Sequence, residues 1–254
     1  MTIDEFHVMA REPGWKYEYW DGKAHISPAH RTVTTSLNTE PRSYRSPCQI
    51  RPVESTYQPG MIDAFVAAFR DTIEYCDWED ERILDSARDS VVGFFSGERG
   101  DPLPASRLAL VSHPEGNRES LVGASLVVGM RGGSPLLDIL FVTPEWQRMG
   151  VATALVSSVV DRLHDSGHST LKSRYNLGND GSRAWHRQFG FVEDPDRFLA
   201  ESYYRHAEHE LWRREKLGDL TREERQKLMR EIDRWSVQAD ELSAMSVDCT
   251  GAVR

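Results

Sequence analysis

The run from Leu136 to Asp165 constrains the fold more than any other stretch of this chain. It begins Leu-Leu-Asp-Ile-Leu-Phe-Val, an apolar run bounded by Pro135 and Pro144. A short run of this kind reads as a buried strand. After Thr143-Pro144-Glu145-Trp146-Gln147-Arg148-Met149-Gly150, the residues Val151, Leu155, Val159 and Leu163 recur at every fourth position. That spacing is one face of a helix, and Gly167, just past Asp165, is a reasonable stop. A strand that feeds a helix through a tight turn leaves the first N–H groups of the helix unpaired. Those groups and the helix dipole favour phosphate. Gly150 and Ala152 are small enough to let phosphates approach the backbone, and Arg148 adds a counter-charge. No Gly-Lys-Ser/Thr follows, which excludes a P-loop. The three glycines of a dinucleotide fingerprint are missing too.

The 254 residues suffice for one large domain, or one medium domain with additions. Hydrophobic residues at 39% and charged residues at 28% fit a soluble globular protein. No apolar run approaches the length of a membrane span. The first residues, with Asp4, Glu5, Arg11 and Glu12, do not have the shape of a signal peptide. Cys48, Cys76 and Cys249 are odd in number and far apart. This argues against a disulfide framework and for a reducing, cytoplasmic compartment. Zinc spacing is absent, so no metal is expected. A net charge of −9 speaks against general affinity for nucleic acid and mildly favours a cationic acceptor such as an amine.

Four segments are expected: residues 1–46 as a small β-hairpin appendage, 47–195 as the main domain, 196–245 as a helical hairpin, and a disordered tail over 246–254. In the first, Thr2 and Glu5 form a capping box. Trp15 to Trp20 alternates aromatic and polar residues before the Asp21-Gly22 turn signal. In the main domain Ile50–Val53 reads as a strand, and Gly60–Tyr75 and Glu79–Phe95 as helices. Leu108–Val111 and Leu121–Met130 read as strands joined by a Pro114-Glu115-Gly116-Asn117 turn. After the central strand and helix, Thr170–Tyr175 is a short strand and Asn179–Gln188 a helix. Phe198–Leu217 is helical, Gly218 breaks it, and Thr221 with Glu224 caps a second helix. The stripes of this hairpin must be covered, either by the sheet or by a second subunit; the latter would make a homodimer through the C-terminal helices.

Gln147-x-x-Gly150-x-Ala152, following a strand that ends Val142-Thr143-Pro144, resembles the diphosphate-binding motif of the GNAT N-acetyltransferase superfamily. Asn179 to Phe191 is similar to that superfamily's Asn-x-x-Ala-x-x-aromatic-Tyr-x-x-x-Gly-Phe helix. The order β-α-α-β-β-β-α-β-α over about residues 50–195 is also the order of that superfamily. The resemblance implies an α/β (α+β) fold with a mixed, mostly antiparallel central sheet flanked by helices. To it the chain adds the C-terminal helical hairpin. Members usually carry another strand or two after Phe-Gly-Phe, and here helical sequence takes over. The N-terminal hairpin is similar, over a short stretch, to the opening hairpin of a family of restriction-type nucleases. The paired carboxylates and lysine of a nuclease core do not follow it.

The resemblance further implies an acetyl-CoA-dependent N-acetyltransferase. Backbone groups of Leu140, Phe141 and Val142 would hold the pantetheine arm, and an N–H near Leu140 would polarise the acetyl carbonyl. The turn Gln147, Arg148, Met149, Gly150, Val151, Ala152 and Thr153 would take the diphosphate. Asn179 would hydrogen-bond the arm, and Ser182 fills the small position. His186 stands where many members have the tyrosine that protonates the departing thiolate. It either serves as that acid or is a hydrogen-bonded structural histidine. Asp138, placed by alternation on the face of Leu136, Leu140 and Val142, is the candidate base. An aspartate satisfied by neighbouring backbone is the favoured reading of it. The acceptor is a small-molecule or protein amine. The alternative is a non-catalytic acyl-CoA-binding module of the same fold. His206 and His209 beside Glu210 have helix spacing for a metal, but a solvated helix face explains them better.

Overall fold

The computed structural model describes residues 1–112, 119–130 and 133–250; the side chains of 245–250 are outside that description. In chain order the elements are α1 (Ile3–His7), β1 (Trp15–Trp20), β2 (Lys23–Pro28), β3 (Thr32–Asn38) and β4 (Gln49–Pro52). Then come α2 (Gln58–Phe69), α3 (Asp80–Ser96), β5 (Asp101–Pro102), β6 (Arg107–Ser112) and β7 (Glu119–Gly129). They are followed by β8 (Leu136–Val142), α4 (Val151–Asp165), β9 (Thr170–Asn176), α5 (Asp180–Phe189) and β10 (Val192–Glu193). α6 (Arg197–Leu217) and α7 (Arg222–Thr250) end the described chain. The turn expected at Pro114–Asn117 lies outside the described residues. The tail expected from 246 is helical as far as Thr250.

The chain divides into two compact units, residues 34–175 with 181–192, and residues 1–33 with 176–180 and 193–254. The first is built on a sheet of eight described strands in the order β10-β3-β9-β8-β7-β6-β4, with β5 beside β7. The pairs β4–β6, β6–β7 and β7–β8 are antiparallel and β8–β9 is parallel. Central strands buried on both faces need apolar side chains on both, and β7 and β8 supply them. One face packs Met61, Phe65, Val91 and Phe94 of α2 and α3 on Leu126, Ile139 and Phe141. The other packs Val156, Val159 and Leu163 of α4 on Val127, Leu137 and Leu171. Each such side chain contributes roughly 1.5–3 kcal/mol when fully buried.

β3 was not expected. Its Val33, Thr35 and Leu37 are buried and its even positions are not, so the period-2 pattern is present in the sequence. β3 takes the place beside β9. Thr39 N–H donates to Ser169 O and the Thr35 hydroxyl to Ser173 O, which makes the pair antiparallel. After Phe191, where members usually carry another strand or two, the chain has the two residues of β10 and then α6, the helical continuation that the sequence predicts. α2 ends at Phe69, six residues short of the expected Tyr75. There the Thr72 hydroxyl and N–H both turn back to the Phe69 carbonyl and close the helix.

The second unit holds the β1–β2 hairpin and the α6–α7 hairpin. Asp21 and Gly22 both have positive φ, as a two-residue turn between right-twisted strands requires. Thr2 and Glu5 cap α1 reciprocally, and Thr221 and Glu224 do the same for α7. With Arg214 joining them, these bonds hold the Glu224 carboxyl down at about 2. Gly14 has φ +90, and a Cβ there would stand 1.8 Å from the Leu177 carbonyl oxygen. Gly22, at φ +72, has nothing within 4 Å of such a Cβ. Gly22→Ala is therefore expected to cost about 1–2 kcal/mol of backbone strain. Gly14→Ala should cost clearly more, because the chain at Leu177 must also move. Denaturant midpoints of the two variants check the order.

Candidate functional site: an opening between two parallel strands

β8 pairs with β7 along its whole length but with β9 only at Leu136–Lys172 and Leu137–Ser173. Where that ladder stops, β8 bulges. Ile139 faces Leu126 and Leu137 faces Val127, which leaves Asp138 without a partner on β7. A bulge adds one residue and shifts the phase of side-chain alternation. The expectation that Asp138 shares a face with Leu140 and Val142 is corrected accordingly. Leu136, Ile139 and Phe141 lie in the α2–α3 core, while Leu137, Leu140 and Val142 pack on the α4 side. Asp138 meets Arg99, from the turn after α3.

The backbone direction follows from one bond. Thr143 N–H donates to Val122 O at 2.9 Å, toward β7. Backbone groups alternate sides along a strand, so the N–H and C=O of Val142 and Leu140 face away from β7. They face the side on which β9 has parted. Gln147 Nε2 donates to Val142 O at 3.1 Å and ties the strand end to the turn that follows.

That turn has the form the sequence suggests. Arg148 and Gly150 take positive φ, 64° and 86°. Left-handed residues set among right-handed ones make successive N–H groups converge, a concavity suited to an anion. Gly150 caps α4, and the first helical bond is Ala154 N–H to Gly150 O at 2.9 Å. The N–H groups of Val151, Ala152 and Thr153 precede that bond and have no partner within the helix. A Cβ on Gly150 would meet nothing within 4 Å, so the approach to these donors is open. Arg148, Met149 and Thr153 are exposed and Ala152 is half-buried. A diphosphate fits these residues.

The second motif helix lies against the first. Trp185 Nε1 of α5 donates to Thr153 Oγ1 at 3.3 Å. His186 is 4% exposed and is ringed by Tyr175, Trp185 and Phe191. Its Nδ1 lies 2.8 Å from the carbonyl oxygen of Ser182, and its Nε2 lies 2.9 Å from Ser173 Oγ. A carbonyl only accepts, so Nδ1 carries the proton and Nε2 accepts from the Ser173 hydroxyl. Burial pulls the imidazole pKa below its usual value, against the smaller effect of the Ser182 carbonyl. The ring is thus neutral at pH 7, with both nitrogens engaged. Of the two readings of His186, this geometry is that of the hydrogen-bonded structural one. Nothing in the sequence sets Ser173 apart, although it stands in the last rung of the β8–β9 ladder. Asn179 stands just before α5, its N–H bonded to Asn176 O at 2.9 Å.

Asp138 is equally committed. Its side chain is 11% exposed, and its two oxygens accept from Arg99 Nε at 2.5 Å and Nη2 at 3.0 Å. Its partner is a guanidinium and not the neighbouring backbone. Burial pushes the Cys48 thiol pKa up, which disfavours a thiolate nucleophile. Among the described residues no three His, Cys, Asp or Glu side chains are grouped to hold a metal. His209 Nε2 faces the His7 carbonyl at 3.1 Å and Glu210 pairs with Arg213. Among the described residues no helix is long and apolar enough to cross a membrane.

The molecule is an α/β protein with a mostly antiparallel sheet that opens between two parallel strands, and a turn of converging N–H groups stands at the head of the next helix. The family model described as acetyltransferase (GNAT) matches residues 53–191, over half of the chain, and the chain belongs to that family. No curated protein matches it. Among solved structures it is similar to a functionally unknown conserved protein from Staphylococcus epidermidis, at 14% identity and TM-score 0.48, over 64% of this chain and 57% of that one. It is similar to a GCN5-related N-acetyltransferase from Sphaerobacter thermophilus at 18% identity and TM-score 0.46, over 64% and 48%. It is also similar to the PaiA N-acetyltransferase from Thermoplasma acidophilum in complex with coenzyme A, at 16% and 0.45, over 58% and 92%. The chain thus spans about half the length of the first two.

His186 makes stability depend on pH with a definite sign. Its pKa is lowered in the folded protein relative to 6.5. The folded state therefore resists a proton that the unfolded chain accepts. Its contribution is complete above about pH 7 and is lost as pH falls below 6.5. Between pH 7 and pH 5, His186→Gln should lose less stability than the wild type, read from urea midpoints across that range.

Proposed function

We propose that the chain is an acetyl-CoA-dependent N-acetyltransferase that moves an acetyl group to a primary amine by direct transfer in a ternary complex. The observation that carries this reading is the pairing of two sets of backbone groups, those of the Arg148–Thr153 turn and those on the open side of β8. The first suits a diphosphate and the second an extended amide-bearing arm with a carbonyl at its end. Leu140, Phe141 and Val142 line the arm in this reading, and the Leu140 N–H polarises the thioester carbonyl. Asn179 and Ser182 keep the parts that the motif resemblance implies. The amine nitrogen attacks that carbonyl, the C–N bond forms, the C–S bond breaks, and the electron pair leaves on sulfur. The thiolate and the new ammonium then exchange protons with the site.

His186 and Asp138 were the candidates for those protons, and both have their hydrogen-bonding atoms engaged. The reading assigns the solvated ends of the opening to proton exchange. His186 supports Ser173, and His186→Phe should then alter turnover little. A large loss of turnover with CoA affinity kept would make it the acid. The same engagement favours a second reading, a non-catalytic acyl-CoA-binding module. Thiol release from acetyl-CoA with a panel of amines separates the two, since binding without turnover supports the module.

A reducing, cytoplasmic setting belongs to the proposal, supported by Cys48 and Cys76 as free thiols. So does a homodimer through α6 and α7, where Trp212, Leu217, Met229 and Val237 are exposed. Gly150→Glu tests the core of the proposal. The space around Gly150 admits a side chain at the backbone cost of its positive φ, while a carboxylate there repels a diphosphate. CoA affinity should fall by about a hundredfold or more in calorimetry. Unchanged affinity would remove the diphosphate from that turn.

A further inference from the structure

The bulge in β8 has a support that lies outside both family motifs. We propose that Arg99 is a positioning residue for acyl transfer, gripping Asp138 so that β8 keeps its bulge and the Leu140 N–H stays aimed into the opening beside β9. The proposal rests on the acetyl-CoA reading above.

Three observations carry it. The bulge falls at the residue after the last β8–β9 rung, so the feature that turns β8 is where the opening begins. Asp138 has no partner on β7, and its carboxylate is held by two bonds from one guanidinium. A planar fork of this kind fixes direction as well as distance. Finally, the turn that presents Arg99 is itself locked. Gly97 closes α3 in the left-handed region, and Arg99 N–H donates to Gly93 O. Asp101 pairs with Gly129 of β7, the strand on which β8 lies. Arg99 therefore braces the bulge from the same sheet that the bulge distorts.

The alternative to the bulge is a regular strand. A slip of one residue turns every group to the other side. Leu140 would then offer its N–H to β7 and its side chain to the wrong core. The ion pair at Asp138 is made in the bulged register, where the carboxylate reaches the α3 turn, and so favours it. With both oxygens engaged, Asp138 acts on geometry and not as a base.

The test uses the full chain as wild type, Arg99→Ala, Arg99→Lys and Asp138→Asn. Amide hydrogen exchange over residues 137–142 in the ligand-free protein should be about tenfold faster in Arg99→Ala. Its CoA affinity by calorimetry should fall less than its kcat, because β8 holds only the arm while the Arg148–Thr153 turn that takes the diphosphate is untouched. Its kcat for thiol release from acetyl-CoA should fall about ten- to a hundredfold. Arg99→Lys keeps the charge and should recover part of that loss, and it serves in place of Arg99→Ala if the latter does not fold. Asp138→Asn keeps an oxygen for the guanidinium and should lose less than Arg99→Ala, with the pH profile of kcat unchanged. Unchanged exchange in Arg99→Ala overturns the proposal. So does an equal loss of CoA affinity and kcat. A larger loss in Asp138→Asn with a missing pH limb also overturns it, and makes Asp138 the base. Should wild type fail to bind CoA, the acetyl-CoA reading falls and the catalytic half of this proposal with it. The exchange comparison then still decides whether the pair holds the bulge.

Discussion

Two parallel strands bonded along their full length leave no backbone for a ligand to hold. β8 and β9 share two rungs and then separate. The separation exposes one side of β8 between Asp138 and Val142, and the same chain direction brings the next turn to the head of α4. The buried faces of β7 and β8 keep the sheet together while it is open at this point. With β7 bonded along the other edge of β8 and α4 packed beneath, the gap does not unravel the fold. The groups that this gap bares are main-chain groups, held by packing some distance away.

This explains why so much of the fold was legible and so little of the chemistry. Val151, Leu155, Val159 and Leu163 announce α4, and Gly150 its left-handed cap, because core burial and a positive φ restrict residue choice. Asp21-Gly22 and the two capping boxes were legible for the same reason. Asp138 was placed on the wrong face because strict alternation holds only for a regular strand. No residue in Leu-Leu-Asp-Ile-Leu marks a bulge. Arg99 is 39 residues away in sequence, in a turn with no periodic pattern. β3 carried a readable alternation but sits in a segment whose neighbours look like an appendage. Its partner β9 lies far along the chain.

The side chains near the opening share a property. His186 is held between Ser173 and the Ser182 carbonyl, Asp138 by Arg99, and Gln147 by the Val142 carbonyl. Each of them fixes a piece of backbone. In the acetyl-CoA reading proposed above, proton exchange therefore falls to the solvated ends of the opening. On that reading, rate comes from where the carbonyl and the amine are held.

The placement of β3 has a bearing on how the chain is made. Thr35 bonds to Ser173, 138 residues later. On a ribosome, the strand that will border β9 emerges early and waits while most of the sheet is synthesised. Contacts of such long sequence separation slow folding, and an uncovered strand invites association with other nascent chains. A relative that supplied this strand from its carboxyl-terminal side would complete the sheet in the order of synthesis. In this chain the strand is made first, and its pairing waits on the synthesis of β9.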